Sequence, residues 1–452
     1  MALLPWFLLL GRRYQIADPD TFWHIRAGDF LRSTWQFSGP EPWSPFSSNP
    51  WVLHEWLPEL AFSMANQMDG LPAVAWVWYA MTAGLTVALY VSCRTLGPAV
   101  LACLATVLGL LGMWASTSPR PQVITFALAA VTTAAWLCSA RDSKRRWWLI
   151  PLTWVWACSH GMWFLSPMIG LAVVVGLAFQ RARRHDAGRL APVGLLTLLV
   201  GALTPVGPKL ILAPLSVSGY TWFVSEWDPP RLSSPPVLAT MLMLSVTAVA
   251  WARSGRRANP VAILVWLVGV VWTLAYTRTV AVGAAVAAPL LVSVFTDVLA
   301  DRKLILRGGV GVRVESMVIA SSVVAALFVA VTILPASTAT AGGPTGLHAA
   351  LDRLPAGTVV FNEYGFGGWL RYAHPQVVPV IDERTEVFSL EYLDRYLSTR
   401  SVRPGWSRLL DEDNVTAALV PEKSAIAAAL EFSGNWKSIA SDSGLTLLER
   451  RR

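Results

Sequence analysis

Between Asp18 and Glu59 the chain collects residues able to do acid–base or cation chemistry: Asp18, Asp20, His24, Arg26, Asp29, His54, Glu55 and Glu59. Carboxylates and imidazoles grouped in this way can ligate a divalent cation or supply a general base. The elements that must position them are legible nearby. Pro19 disfavours helical angles at Asp18, and Asp20 reads as the N-cap of a helix over about 21–33. One turn separates Asp20 from His24, which puts both on one face, and Trp23, Ala27, Phe30 and Leu31 form an apolar stripe. Residues 38–50 are rich in Pro and Ser and read as irregular loop. A second helix is expected over 55–67, with Glu55 and Glu59 one turn apart and Trp56, Leu60, Ala61 and Met64 as its apolar side. Two short amphipathic helices suit the plane of a membrane interface. A plainer reading stands beside this one: Asp20 only caps a helix, and the other polar groups are solvated.

The rest of the chain says which solvent surrounds that segment. Of 452 residues, 54% are hydrophobic and 14% are charged, against roughly 25% charged in a soluble domain. Much of the surface must therefore face lipid. Apolar stretches at 72–92, 99–117, 121–140, 147–163, 166–180, 190–212, 236–252, 260–276, 279–298 and 315–334 read as spanning helices, with one helical hairpin of short arms as the alternative over 147–180. The start, Met1–Leu10, is apolar but short and lacks the charged and cleavable flanks of a signal peptide. The fold class expected is a polytopic α-helical membrane protein of about 10–11 spans with a small C-terminal α/β domain.

Lys and Arg collect in every second loop: Arg141, Lys144, Arg145 and Arg146; Arg181, Arg183, Arg184 and Arg189; Arg253, Arg256 and Arg257; Arg302, Lys303, Arg307 and Arg313. By the positive-inside rule these loops are cytoplasmic. Residues 14–71, the 116–122 turn, 213–235, the 276–279 turn and everything after 335 then lie outside. Arg12 and Arg13 run against this assignment. Because the basic residues sit between spans, they point to topology and not to a nucleic-acid partner. The four cysteines show no metal-ligand spacing.

After the last span, 337–346 reads as a linker and 347–452 as a small extracytoplasmic domain. Strands are expected at 358–361, 377–381, 416–420, 436–440 and 446–448, and helices at 367–372, 390–398 and 425–431. Such alternation suits an α/β layer. "NEYGFGG" (362–368) is neither a dinucleotide nor a P-loop signature, so it reads as a tight turn with no nucleotide bound. Asp382 and Arg384 fall just past a strand end, as an ion pair or as a seat for an acceptor.

These features together resemble the GT-C glycosyltransferase superfamily, integral-membrane enzymes that use polyprenyl-phosphate-linked sugars. The likeness is carried by Asp18-Pro19-Asp20 followed by "TFWHIRAGDFLR", by the later "HEWLPE", and by "FNEYGFGGWL" and "VIDERTEVF" after the last span. It is nearest to a poorly characterised bacterial branch. The resemblance implies a transmembrane domain over 1–336, with 14–71 as its long extracytoplasmic loop, in the cell membrane. It implies inverting transfer of a sugar from a lipid-linked donor to an envelope glycan, lipid or protein acceptor. Asp20 or Asp18 would be the catalytic base, and the same carboxylates can hold Mg or Mn in metal-dependent members.

Such a transfer needs a base for the acceptor hydroxyl and positive charge for the departing lipid phosphate. Cations on the outer side are Arg26, Arg120, Arg231 and Arg278. Arg120 and Arg278 lie in short turns between spans, where a charge either faces a cavity or snorkels to the headgroups. His24, His54, Glu55 and His160 complete the candidate substrate-binding set, with packing as the alternative role for His160. The aromatics of 213–235 read as interfacial anchors. Two other functions fit the same outline: a transporter or flippase for an envelope precursor, and a scaffold in envelope assembly.

Overall fold

The computed structural model describes residues 15–212, 218–220, 222–254, 259–301, 311–333 and 338–451. The apolar start, with Arg12 and Arg13, lies outside the described residues. Two compact units are present. One holds His54–Pro58 and Pro72–Thr338; the other holds Tyr14–Leu53, Glu59–Leu71 and Ala339–Arg452. Most of the first loop therefore groups with the C-terminal residues.

The first unit is a bundle of apolar helices. Among the described residues, seven helices are long and apolar enough to cross a membrane: Trp56–Arg94, Ala99–Ser116, Gln122–Asp142, Gly161–Ala178, Arg181–Leu203, Pro235–Arg253 and Thr277–Ala300; Pro260–Ala275 is apolar but shorter. The chain is a polytopic helical membrane protein. The expected span at 147–163 is the short helix Leu149–Ala157. It stops because His160 takes extended angles (φ −166°, ψ 144°) and caps the next turn, its side chain accepting from the Met162 N–H. The expected span at 315–334 is the helix Val312–Ile333.

Thr277–Ala300 is the most buried of the spans. It touches Ala99–Met113, Gln122–Asp142, Pro235–Arg253 and Pro260–Ala275. Its small residues Ala281, Ala284, Ala285 and Ala288 are fully buried, which lets backbones approach closely, as association without a hydrophobic drive requires. A Cβ added at Gly112 would meet the Ala284 Cβ and the Thr240 Oγ1 at 2.6 Å.

Two of the basic loops that alternate in the sequence, 141–146 and 181–189, meet in space, while Arg256, Arg257, Arg302, Lys303 and Arg307 lie outside the described residues. Arg141 pairs with Asp297 at 2.9 Å, Arg145 Nε donates to the Arg189 carbonyl at 2.8 Å, and Arg183 Nη2 donates to Ser143 Oγ at 3.2 Å. Arg141 also donates to the Leu96 carbonyl. The loop after Gln122–Asp142, the loop before Arg181–Leu203, the end of Trp56–Arg94 and the end of Thr277–Ala300 thus share one end of the bundle.

The second unit has a five-stranded sheet in the order Val378–Pro379, Val359–Asn362, Ala417–Pro421, Leu445–Arg450, Trp436–Asp442. The first three strands are parallel and the last two pairings antiparallel. Each lies within a few residues of the stretch expected from the sequence. The chain leaves the Val359–Asn362 strand toward one neighbour and returns to the other side of it. The carboxyl ends of parallel strands at such a reversal are where α/β sheets place their sites.

Helix Pro19–Thr34 opens the first-loop part of this unit. Its N-cap is Asp18, not the expected Asp20: Asp18 has extended angles and accepts from the Asp20 N–H at 3.1 Å, and Pro19 takes the first helical position, where its missing N–H costs nothing. Gly28 lies against the Glu59 backbone so closely that a Cβ could not fit. The expected helix at 55–67 begins at Trp56 and runs to a break at Asp69 and Gly70, where Gly70 has φ 64° and ψ −150°. Only glycine adopts that conformation without strain, so the break separates this segment from the span that follows.

The loop and the sheet meet through backbone and side chain. Gln15–Ile16 pairs with Thr340–Ala341 as parallel strands. Asn49 Nδ2 donates to the carbonyls of Glu386 and Phe388 at 2.9 and 3.1 Å. Gly367–Ala373 packs on Pro19–Thr34. A Cβ at Gly368 would sit 2.7 Å from the Pro19 carbonyl oxygen and 2.8 Å from Glu383 Oε2. "NEYGFGG" makes a tight 3₁₀ turn at Tyr364–Phe366 between strand and helix, as expected, and Gly367 and Gly368 in addition serve close approach between chain segments.

Gly368→Ala should destabilise this unit by roughly 1–3 kcal/mol, the usual cost of overpacking. Gly39→Ala, with nothing near its added Cβ, should leave the thermal unfolding temperature unchanged. Limited proteolysis of the C-terminal region against temperature distinguishes the two.

Candidate functional site

In the second unit the Asp18-Pro19-Asp20 segment is half-buried at the start of its helix. Opposite the Pro19 carbonyl, across the space a methyl group would fill, stands Glu383. Glu383 is only 9% exposed. Its Oε2 accepts from the Gly368 N–H at 3.0 Å, and its Oε1 is buried with no hydrogen-bond partner among the described residues. Burial pushes this carboxyl well above the usual carboxylate range, and the charges of Asp382 and then Asp20 push it further. Two acidic groups thus face each other electrostatically, one from the first loop and one from the sheet. Such a pair can divide acid and base roles or share a cation.

Glu383 is held by its neighbours in the chain. Asp382 is fully buried and receives Arg384 Nη2 at 2.6 Å and Arg371 Nε at 2.9 Å. Burial alone would raise the Asp382 carboxyl, but the Arg384 and Arg371 guanidiniums outweigh it and hold the group at about 2. Arg384 continues to Glu41 at 2.6 Å and lies over the Trp43 ring at 4.7 Å. Arg371 Nη1 donates to the Trp43 carbonyl at 2.7 Å. Asp382 and Arg384 are therefore an ion pair, with Glu41 and Arg371 as further members.

His24, expected beside Asp20, pairs instead with Glu59: Nδ1 lies 3.1 Å from Oε1, with both side chains buried. Arg26 is half-buried on the same helix and makes no ion pair among the described residues.

The first unit gathers the remaining candidates. His54 Nε2 and His160 Nε2 lie 3.4 and 3.6 Å from Glu55 Oε1. His160 Nδ1 accepts from the Met162 N–H and meets Thr125 Oγ1 at 3.0 Å, and Thr125 accepts from Trp156 Nε1 at 2.8 Å. This network assigns the proton to His160 Nε2, directed toward Glu55. Arg120 and Arg278 are both within electrostatic range of His160. They converge on Glu226, at 2.8 and 3.7 Å. Arg278 lies over the Trp227 ring at 4.9 Å, and Trp227 packs edge-on against Tyr276. Trp227 thus seats an arginine, whereas the half-exposed Trp222 keeps the character of an anchor. Arg231 is exposed.

Sequence reasoning missed Glu383, Glu226 as a partner of two arginines, and Thr125. Asp382 and Arg384 flagged the right strand end, but no local pattern distinguishes Glu383 between them.

No protein-family model and no curated protein matches the sequence. Solved structures do match. One is the Archaeoglobus fulgidus oligosaccharyltransferase tethered with an acceptor peptide containing the NVT sequon, at 13% identity and TM-score 0.61, covering 93% of this chain and 68% of that one. Another is ArnT from Cupriavidus metallidurans bound to undecaprenyl phosphate, at 13% identity and TM-score 0.54, covering 99% of this chain and 96% of that one. The chain has a GT-C-like fold. At this identity the likeness concerns fold, and the site must be argued from its own residues.

The raised Glu383 carboxyl carries a stability signature. Its proton is held more tightly folded than unfolded, so folding is favoured at low pH and penalised as pH rises above the ordinary carboxylate value. Asp382 has the opposite sign: its contribution is present above about pH 4 and is lost as pH falls toward 2. Glu383→Gln should therefore raise the thermal unfolding temperature at pH 8, with the gain shrinking toward pH 4. An equal or larger gain at pH 4 would contradict the assignment.

Proposed function

We propose that this protein is a membrane glycosyltransferase that moves a sugar from a polyprenyl-phosphate donor to a cell-envelope acceptor on the extracytoplasmic face. The observation that carries the reading is the Asp18-Pro19-Asp20 segment faced by Glu383, in a chain of GT-C-like fold. Inverting transfer needs one base to take the acceptor proton as the hydroxyl attacks the anomeric carbon. Asp20 fills that role, with Asp18 positioning it by capping the helix start, and Glu383 shapes the charge at the same place. A departing lipid phosphate calls for positive charge, and within the helical unit, taken by itself, Arg120 with Arg278 is the pair suited to it. His54, Glu55 and His160 line the same polar end of the bundle as those arginines and orient the donor.

The residues also fit a divalent cation. Asp18, Asp20 and Glu383 are hard oxygen donors suited to Mg or Mn, and the buried, unpartnered Glu383 oxygen is the kind of atom a cation satisfies. Asp18 and Asp20 would hold it, and it would supply electrostatic stabilisation of developing negative charge. No nucleotide takes part, because the donor arrives already lipid-linked. The C-terminal sheet belongs outside, since it shares a compact unit with the Asp18–Asp20 loop and the positive-inside rule puts that loop opposite the basic loops.

The test is release of polyprenyl phosphate from a panel of radiolabelled polyprenyl-phosphate sugars by full-length protein in proteoliposomes, with envelope extract as acceptor. Asp20→Asn should reduce turnover by about 10²-fold or more while membrane insertion and thermal stability stay near wild type. Full activity in both Asp18→Asn and Asp20→Asn would remove the site from consideration.

A further inference from the structure

We infer that Glu226 is an internal stand-in for the donor phosphate: its carboxylate holds Arg120 and Arg278 in their binding arrangement and is displaced when a phosphate ester arrives. This rests on the proposed role of the two arginines as the phosphate clamp. Glu226 takes a separate oxygen to each guanidinium, Oε1 to Arg120 Nη1 at 2.8 Å and Oε2 to Arg278 Nη1 at 3.7 Å. A phosphate offers the same kind of anionic oxygens to such a pair, and offers more of them. Two guanidiniums drawn together near hydrocarbon repel each other and lose hydration, so the arrangement needs an anion between them.

The three side chains differ in how easily they can leave. Arg120 and Arg278 are 14% and 23% exposed, and Glu226 is 35% exposed. Arg278 is seated on Trp227. Glu226 belongs to the single 3₁₀ turn Ser225–Trp227, outside any spanning helix. That turn is fastened by its backbone and not by the glutamate, because the Thr277 N–H and Oγ1 both donate to the Asp228 carbonyl, at 2.9 and 3.1 Å. A rotation of the Glu226 side chain into water would therefore leave both arginines and the turn in place. Both arginines also act on His160, which Glu55 and His54 approach as well.

The consequence is a competition that sets donor affinity. If Glu226 fills the clamp nine-tenths of the time, as an illustrative occupancy, its removal tightens phosphate binding about tenfold. The experiment is equilibrium binding of undecaprenyl phosphate, and separately of inorganic phosphate, to the full-length protein in detergent. Glu226→Gln should bind undecaprenyl phosphate about tenfold tighter, Glu226→Asp should bind it as wild type, and Arg120→Gln or Arg278→Gln should bind it at least tenfold more weakly. A gain in Glu226→Gln toward the lipid phosphate that inorganic phosphate does not share identifies the lipid headgroup as ligand; equal gains for both would overturn that identification. If the arginine variants lose binding while Glu226→Gln binds unchanged or more weakly, the stand-in role is wrong and the clamp survives. If the arginine variants bind as wild type, the clamp itself is wrong and the inference falls with it.

Discussion

A four-charge cluster, buried and neutral in sum, fixes the second unit. Asp382 lies at its centre, Arg384 and Arg371 converge on it, and Glu41 closes it from the first loop. Isolated charges could not be buried this way: the desolvation cost per ion is several kcal/mol, and only mutual attraction with saturated hydrogen bonds offsets it. Removing one member of such a set typically costs about 3–5 kcal/mol, because the others stay buried without a counter-charge. The cluster therefore acts less as glue than as a register pin. It fixes Glu41 and the Trp43 carbonyl, and with them the Pro- and Ser-rich stretch, expected as irregular loop and closed at its ends by the short antiparallel pairing of Ser38–Gly39 with Trp51–Val52. It also fixes the backbone on both sides of Glu383, so the one acidic group in that triplet without a cation is held where Asp20 can feel it.

The first unit solves a different problem with different means. In lipid, backbones approach because side chains are small, and the alanines of Thr277–Ala300 with Gly112 provide that. Polar chemistry is confined to the two ends of the bundle. One end carries arginines paired to Asp297 and Glu315, in the manner of a solvated rim. The other carries Glu55 with two histidines and Glu226 with two arginines. The difference lies in stoichiometry. At the first end Arg141 pairs with Asp297 and Arg94 with Glu315, one to one, whereas at the second Glu226 takes two arginines and Glu55 two histidines.

Much of this was readable from sequence, and the reasons for the remainder are physical. The strands and helices of the C-terminal sheet fall where alternation and turn residues put them, because those signals are local. The loop chemistry was legible as residue types, since an Asp-Pro-Asp start and the later His54–Glu55 step announce themselves. Which aspartate caps the helix was not, because Pro19 is equally at home before a helix or as its first residue, and only the observed Asp18 angles decide. The pairings of Arg384 with Glu41 and of Arg120 with Glu226 join residues far apart in the chain, and no periodicity encodes them. Gly368 was visible as a glycine, but the reason for it is the carbonyl of Pro19, which sequence spacing cannot bring to it. At His160 the sequence leaves two spans and a short-armed hairpin both open over 147–180, because the run is apolar on either side of the break.

The strand pairing of Gln15–Ile16 with Thr340–Ala341 joins the start of the chain to a segment made only after every spanning helix. During synthesis the loop emerges early, yet the partners of Glu41, Asn49 and Gln15 are made only after the described spanning helices. Contacts so distant in sequence close slowly and late. The approach of Asp20 to Glu383 consequently waits on residues made after the described spanning helices. A chain halted before residue 383 holds the Asp18–Asp20 segment without the carboxyl group that faces it.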